Sequence, residues 1–162
     1  VNYAHAAGFP PVYDENSVVL ILGSFPSVKS RETAFYYGHK QNRFWRTVCE
    51  FFGEDVPATV AGKREFLLRR NIALWDVIIE CDIIGSSDAS IRNEVVADIP
   101  SVLEGGKIRA VLCNGSKSFS LFSERFPQYL PVAKKLSSTS PANPRFSSEE
   151  WREALLNLFP RA

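Results

Sequence analysis

Val18-Val19-Leu20-Ile21-Leu22-Gly23-Ser24-Phe25-Pro26-Ser27 is an unbroken apolar run that ends in a glycine–proline turn. The run has the length and composition of a strand buried on both faces. Such a turn at a strand end lets the backbone approach a ligand closely. Tyr36-Tyr37-Gly38-His39-Lys40-Gln41-Asn42-Arg43-Phe44-Trp45 follows, bringing aromatic faces, amides and a histidine near that turn. These groups suit the gripping of a flat, polar, uncharged ring. The plainer reading is a strand, a turn and an amphipathic helix whose aromatics are core.

Outward from this stretch, the segment from Asn2 to Asn16 is rich in Pro, Gly and polar residues and is expected to form an ordered arm or loop. Helices are expected from about Asn42 to Phe52, where Phe44, Val48, Phe51 and Phe52 recur at helical spacing, and from about Thr59 to Arg70. The second should bury Val60, Leu67, Leu68 and the stem of Arg64. Ile72-Ala73-Leu74-Trp75 is a short strand; Ile78 to Ile84, broken by Glu80 and Asp82, fits no single element. Gly85-Ser86-Ser87-Asp88 is a loop, and Asn93 is placed to cap a helix reaching Leu103, shortened or kinked at Pro100. Ile108 to Cys113 is the next strand, and Asn114-Gly115-Ser116 turns from it into a helix through Arg125. Val132 to Leu136 is the last strand, and Ser137 to Ser147 a polar, Pro-rich loop. Ser147 and Glu150 have capping-box spacing before Trp151, Leu155, Leu158 and Phe159. Strands thus alternate with helices. The expected fold is an α/β three-layer sandwich with a short, largely parallel central sheet, forming a single domain over residues 1–162 with an N-terminal arm at 1–16. Ligands of such sheets bind at the carboxyl ends of the strands, where the polar loops after the first, third and fourth strands would meet.

The 162 residues are 45% hydrophobic and 23% charged, ordinary for a globular protein with a real core. No run reaches membrane-spanning length and no signal peptide is visible, so a cytoplasmic protein without membrane contact is expected. The chain contains no Met, so Val1 is not expected to be the first translated residue. Cys49, Cys81 and Cys113 are far apart and lack metal-site pairing; each is expected to be a small buried hydrophobe. No cofactor or metal is expected, and three thiols are too few for an iron–sulfur cluster. The net charge is +1, yet Lys29, Arg31, Lys40, Arg43 and Arg46 stand against the single acid Glu32, and Lys134, Lys135 and Arg145 form a second basic neighbourhood. Patches of this kind can hold phosphates, or can simply be solvated faces balanced by acids elsewhere.

Gly23-Ser24-Phe25-Pro26-Ser27, Gly38-His39-Lys40-Gln41-Asn42-Arg43-Phe44-Trp45 and Ser138-Thr139-Ser140-Pro141-Ala142-Asn143 together resemble the uracil-DNA glycosylase superfamily. The hypoxanthine-DNA (deoxyinosine) branch is the most similar, and the mismatch-specific uracil/thymine branch shares the same three segments. The resemblance runs from about Phe9 to Phe159. It departs in two places. The mismatch-specific branch carries a catalytic Asn in the first turn, where this chain has Phe25; related segments usually carry Pro where this chain has Lys40.

The resemblance implies excision of a deaminated base that has been flipped out of DNA. The transition state has a cationic sugar and a base gathering negative charge. A site can therefore work by aiming N–H donors at the base and holding a water near the anomeric carbon. A phenylalanine ring cannot orient water, and the resemblance to the hypoxanthine branch, which uses the Asn of its Gln-Asn pair, implies Asn42 as the catalytic residue; its competing role is to cap the following helix. Phe25 would offer its backbone N–H and ring. Phe35, Tyr36 and Tyr37 are candidates for sandwiching the base, with Phe35 at the stacking position of the mismatch-specific relatives. Asp76 is placed either to read a base edge or to cap a turn. Ser27, His39 and Lys40 are candidate DNA contacts, although a lone histidine such as His39 is more often structural. Ser138, Thr139 and Ser140 match the phosphate-binding loop of the superfamily, with Asn143 or Arg145 as the wedge entering the duplex. Asn114 either contacts phosphate or caps a helix.

The function expected is that of a DNA repair glycosylase acting as a monomer on DNA, with hypoxanthine as first base and uracil as second. No lysine stands at an obvious nucleophile position, so no Schiff-base strand cleavage is expected. The alternative is a catalytically silent DNA- or nucleobase-binding module of the same fold, in keeping with Phe25. An unrelated hydrolase or nucleotide-binding enzyme is disfavoured by the lack of a Walker A loop, a dinucleotide fingerprint or a nucleophile elbow.

Overall fold

A computed structural model describes residues 2–160. The expectation about Val1 and the two ends of the 1–162 domain lie outside the described residues. The central sheet has four parallel strands in the order β3-β2-β6-β7: β2 is Val19–Gly23, β3 Ile72–Asp76, β6 Ala110–Asn114 and β7 Ala133–Leu136. Val19, Leu20, Ile21 and Leu22 are all fully buried although alternate side chains point to opposite faces, so both faces of the sheet are covered. The covering helices are α1 (Val28–Thr33), α2 (Phe44–Phe51), α3 (Val60–Arg69), α4 (Ile99–Leu103), α5 (Ser116–Arg125) and α6 (Ser148–Leu158). This is the expected three-layer α/β architecture.

Parallel pairing runs in register from Val19 opposite Ile72 to Gly23 opposite Asp76, and β2 pairs with β6 on its other side. The chain therefore leaves β2 for β3 on one flank and returns to β6 on the other, which creates a switch point where strand ends splay and a crevice opens. Ser118 of α5 fastens the neighbouring helix by donating to Leu22 O at 2.8 Å.

Several expectations need correction. The Ile78–Ile84 run and the supposed Asn93 helix start belong to a second, antiparallel sheet in the order β1-β4-β5, made of β1 (Ala4–Ala7), β4 (Ile78–Ile83) and β5 (Arg92–Val96). Register shifts in the β4–β5 pairing scramble the alternation that would have announced it. Asn93 has φ +55° and donates its amide to Asp82 Oδ2 at 2.8 Å rather than capping a helix. The helix begins later, at α4, with Pro100 in its first turn, where a missing N–H leaves nothing unpaired. The N-terminal arm is therefore part strand, and Val12 exchanges two backbone hydrogen bonds of 2.9 Å with Leu74. α1, not expected at all, is a six-residue helix whose first turn is capped by the Ser27 hydroxyl accepting from Ser30 N–H.

In α3 the buried residues are Phe66 and Leu67, while Val60 is exposed. The capping box at α6 is half formed. Ser147 Oγ accepts from Glu150 N–H, but the Glu150 carboxylate accepts from Ser137 N–H instead of closing the box. Cys49, Cys81 and Cys113 are free and buried.

Phe44 links the core to the site. It stacks on Tyr37 at 4.3 Å between centroids and meets Trp45 and Trp151 edge-on at 5.0 and 6.1 Å. Phe44→Ala is expected to cost about 3–5 kcal/mol of stability, measured as a lowered urea midpoint with an unchanged m-value.

Candidate active site

The crevice at the switch point is a cavity of about 360 Å³, inside the range of about 300–1,000 Å³ typical of small-molecule sites. The carboxyl ends of all four parallel strands reach it: Gly23 at the end of β2, Asp76 on β3, Asn114 on β6 and Ser138 beyond β7. The turn at 24–27, Tyr36, Tyr37, His39 and Asn42 complete much of the wall, with Asp88 from the turn after β4. The polar loops converge as the strand pattern requires.

Gly23 is needed here for space. A Cβ on it would collide with Asp76 Oδ1 and stand 2.8 Å from the Tyr37 hydroxyl. Asp76 is 4% exposed, and neither its Oδ2 nor the Tyr37 hydroxyl has a hydrogen-bond partner among the described residues. Burial, and then the negative charge of Asp88, push Asp76 up to about 8. Burial and the proximity of Asp76 raise both Tyr36 and Tyr37 well above the ordinary phenol range. An unpartnered buried acid in a cavity wall is an uncommon arrangement in a native fold and marks a candidate functional group.

Asn42 lies in the wall, half-buried, and its Oδ1 accepts from Phe44 N–H at 2.9 Å. The carboxamide therefore does cap the start of α2, but with a single donor. A carbonyl oxygen has a second lone pair, so the cavity face of the amide can still engage another group. His39 Nδ1 accepts from Gln41 N–H at 3.0 Å, which places the imidazole proton of a neutral ring on Nε2. This bond tightens the turn that presents Asn42, whose own N–H donates to His39 O at 3.0 Å.

The aromatic candidates separate. Tyr36 lines the cavity, but its hydroxyl donates to Pro10 O at 2.8 Å and so anchors the N-terminal arm. Tyr37, at φ +54°, lines the cavity against Phe44. Phe25 is in the wall with the Arg31 guanidinium 5.7 Å from its ring centroid. Phe35 is not among the lining residues: it stacks on Trp45 at 5.9 Å and belongs to the core. The spacing that pointed to it is equally the spacing of a core aromatic.

The 137–147 loop is held from two sides. Asn114 does not cap α5. Its Nδ2 donates to Thr139 Oγ1 at 2.9 Å and its Oδ1 accepts from Thr139 N–H at 3.0 Å. The N-cap position of α5 is Gly115, at φ +98°. From the other side, Arg43 Nη2 donates to Ser140 O and, at 2.8 Å, to Asn143 O, with the guanidinium 4.5 Å above the Phe146 ring centroid. The clamp by Arg43 went unrecognised in the sequence, where it counted only as part of a basic patch. Asn143 spends its side chain inside the loop, donating to Ser138 O and accepting from Arg145 N–H. Lys40 and Arg145 are exposed outside the cavity, and Ser27 is occupied in capping α1 while facing the cavity. Asp88 was also missed. It accepts from the Ser24 hydroxyl at 2.9 and 3.0 Å, and only the fold of the second sheet brings it to the Gly23 turn. Among the described residues no group of His, Cys, Asp or Glu is arranged to hold a metal ion, and no helix is long and apolar enough to cross a membrane.

The parallel sheet, its switch-point cavity and the two polar loops define a three-layer α/β domain of the uracil-DNA glycosylase type. No protein-family model matches the chain. It is 37% identical over 156 residues to a hypoxanthine DNA glycosylase of Methanosarcina acetivorans, covering 89% of this chain and 94% of that protein. It is 36% identical over 160 residues to the hypoxanthine DNA glycosylase of Methanosarcina barkeri, covering 91% and 96%. A solution NMR structure from Methanosarcina acetivorans, described as a candidate uracil DNA glycosylase, superposes with a TM-score of 0.81 at 36% identity, covering 96% of this chain and 99% of that one. The chain belongs to the hypoxanthine DNA glycosylase family.

The raised acid at the floor has a consequence for stability. Asp76 keeps its proton in the folded state and loses it in the unfolded chain above the ordinary carboxylate range, so stability falls as pH rises from about 4 to about 8. Asp76→Asn, which removes the titration at nearly constant volume, is expected to melt close to the parent at pH 4. Its advantage should then widen up to pH 8, as read from thermal melts across that range.

Proposed function

We propose that this protein is a monofunctional DNA glycosylase that takes a flipped, deaminated base into the switch-point cavity and hydrolyses its N-glycosidic bond. Hypoxanthine is the first base and uracil the second. The observation that carries the reading is Asn42: a carboxamide in the cavity wall, fixed by one main-chain donor and with acceptor capacity left over. That oxygen polarises a water beneath the anomeric carbon, while the fixed geometry avoids reorganisation during bond cleavage. The Phe25 backbone N–H and ring meet the base, Tyr36 and Tyr37 pack about it, and Asp76 meets a base edge from the floor. Aromatic packing around an extruded base is a recurrent arrangement in enzymes that flip bases.

DNA is held by the surface around the mouth. Ser138, Thr139 and Ser140 form a rigid loop because Asn114 and Arg43 hold it, and its hydroxyls and backbone suit phosphate oxygens. Ser27, His39 and Lys40 line the opposite approach. Arg145, exposed beside that loop, enters the gap left in the duplex, and Asn143 shapes the turn that presents it. Thr139 itself is 1% exposed, so it supports the loop more than it touches DNA. The protein works as a single-domain monomer without a cofactor, in the cytoplasm and close to the nucleoid.

The test is a gel assay on duplexes carrying one inosine or one uracil. Cleavage appearing only after alkali is expected; tight binding with no cleavage would instead identify a silent module, and neither binding nor cleavage would refute the reading. Asn42→Ala is expected to lower excision by about 100-fold or more while DNA affinity is largely kept. Retained excision removes Asn42 from the mechanism. Arg145→Ala is expected to slow excision from duplex more than from single strands, and equal losses on the two would argue against a wedge.

A further inference from the structure

Two carboxyl groups line the cavity, and they differ in depth. Asp76 is buried at the floor, at the end of β3, while Asp88 is exposed at the rim. A flipped nucleotide enters base first, because its sugar and phosphates stay with the DNA strand. Depth therefore assigns the two groups: the floor meets the base and the rim meets the sugar.

Their surroundings push them toward opposite protonation states. Asp76 has a buried oxygen, Oδ2, that makes no hydrogen bond among the described residues, and the Tyr37 hydroxyl stands beside the carboxyl at the Gly23 backbone. The other groups acting on this corner are the Asn114 carboxamide, which acts on the Tyr37 hydroxyl, the Tyr36 and Cys113 side chains, Arg64 beyond Tyr36, and Asp88 itself. No cation is paired with Asp76 among the described residues. Asp88 is held by the Ser24 hydroxyl across both of its oxygens, an arrangement that suits a carboxylate. Burial raises Asp88 as well, but Ser24 and the ammonium of Lys117 oppose that rise, and for Asp76 nothing opposes it. Two acids in one site whose environments separate their protonation divide naturally into donor and base.

We propose that Asp76 and Asp88 form an acid–base pair across the cavity, Asp76 giving its proton to N7 of the departing hypoxanthine and Asp88 taking one from the attacking water. The inference rests on the excision reading above. In hypoxanthine N1 already carries hydrogen and N9 is bonded to the sugar; of the two remaining ring nitrogens N3 lies beside the sugar, and N7 is the more basic and lies on an exposed edge. The O–H bond of Asp76 breaks as N7–H forms, and the electron pair of the C1′–N9 bond stays on the ring, which leaves as a neutral purine. Water oxygen bonds to C1′ and its proton passes to Asp88. One proton transfer from Asp88 through solvent back to Asp76 restores both groups. Uracil has no counterpart to N7 and departs as an anion, so Asp76 sets a preference between the two bases. Asp88, facing the cationic sugar, serves both.

The experiment is single-turnover excision from duplexes carrying inosine, 7-deazainosine or uracil, over a range of about pH 5–10. The wild-type rate on inosine is expected to fall as pH passes about 8, with no matching fall on uracil. Asp76→Asn should lose about 100-fold on inosine, little on uracil, and nothing further on 7-deazainosine. Asp88→Asn should slow inosine and uracil alike and abolish the rise in rate on the acid side. Equal losses on inosine and 7-deazainosine with Asp76→Asn, or a wild-type inosine rate that is flat through pH 8, would overturn the proton transfer while leaving the glycosylase reading intact. Wild-type protein that excises neither inosine nor uracil removes both. The wild-type pH profiles decide the matter even where a variant folds poorly.

Discussion

The absence of a side chain at Gly23 is the constraint on which the site depends. β2 is the central strand of a sheet buried on both faces, so its end has no room to yield sideways. Asp76 and the Tyr37 hydroxyl occupy the volume that a Cβ would need. Glycine at this point lets the end of one strand, a neighbouring acid and a phenol share a few ångströms of space. The cavity then forms where the chain switches from one side of β2 to the other, because strands that diverge there leave a gap that no side chain of the sheet fills.

Around that gap the rigidity comes from side chains that hydrogen-bond the loop at more than one point. Thr139 is locked by both ends of the Asn114 amide, and Arg43 spans to two carbonyls of the same loop while its guanidinium covers Phe146. Buried polar networks of this kind are costly when broken and specific when complete. They hold a loop of eleven residues, Ser137 to Ser147, whose backbone would otherwise wander, and they hold it over the mouth of the cavity. Trp151 contributes from α6 by donating to Ser137 O at 2.8 Å, which ties the loop's start to the core. The rim is therefore as well determined as the floor, as a site that must position a reacting atom requires.

The floor itself is built against stability. A buried carboxyl with an unpartnered oxygen raises the free energy of the folded protein at neutral and alkaline pH, and the dense aromatic packing of Tyr37, Phe44, Trp45 and Trp151 offsets it. Folds keep such groups where chemistry uses them. The second sheet matters for the same reason. Its strands carry Asp88 to Ser24, and the Val28 N–H and Arg31 guanidinium donate to Ser86 and Gly85 of the same turn. An element that looks peripheral thus completes the electrostatics of the site.

β2, β3 and β6 were legible in the sequence because each is a short apolar run whose burial on both faces leaves no other use for it, whereas β7 carries the exposed Lys134 and Lys135 and lacks that pattern. The family was legible in the Gly23–Ser27 turn, the Gly38–Trp45 segment and the Ser138–Asn143 loop, since those residue types recur at that spacing for chemical reasons. β5 was not, because Arg92-Asn93-Glu94 carries no apolar signal and its pairing is irregular. Asn42 was singled out, but whether its oxygen was spent on the helix or left for the cavity depends on one hydrogen bond that sequence spacing cannot count. The sequence by itself determined the order of the parallel strands and of the longer helices, the placing of the candidate site at the strand ends and the family, since these follow from local hydrophobic pattern and local motif. Only the tertiary structure decided that Phe35 lies in the core, that Asn114 and Arg43 brace a loop, and that Asp76 and Asp88 face one cavity. Those outcomes turn on contacts between residues far apart in the chain, whose distances and solvent exposure exist only once the chain has folded.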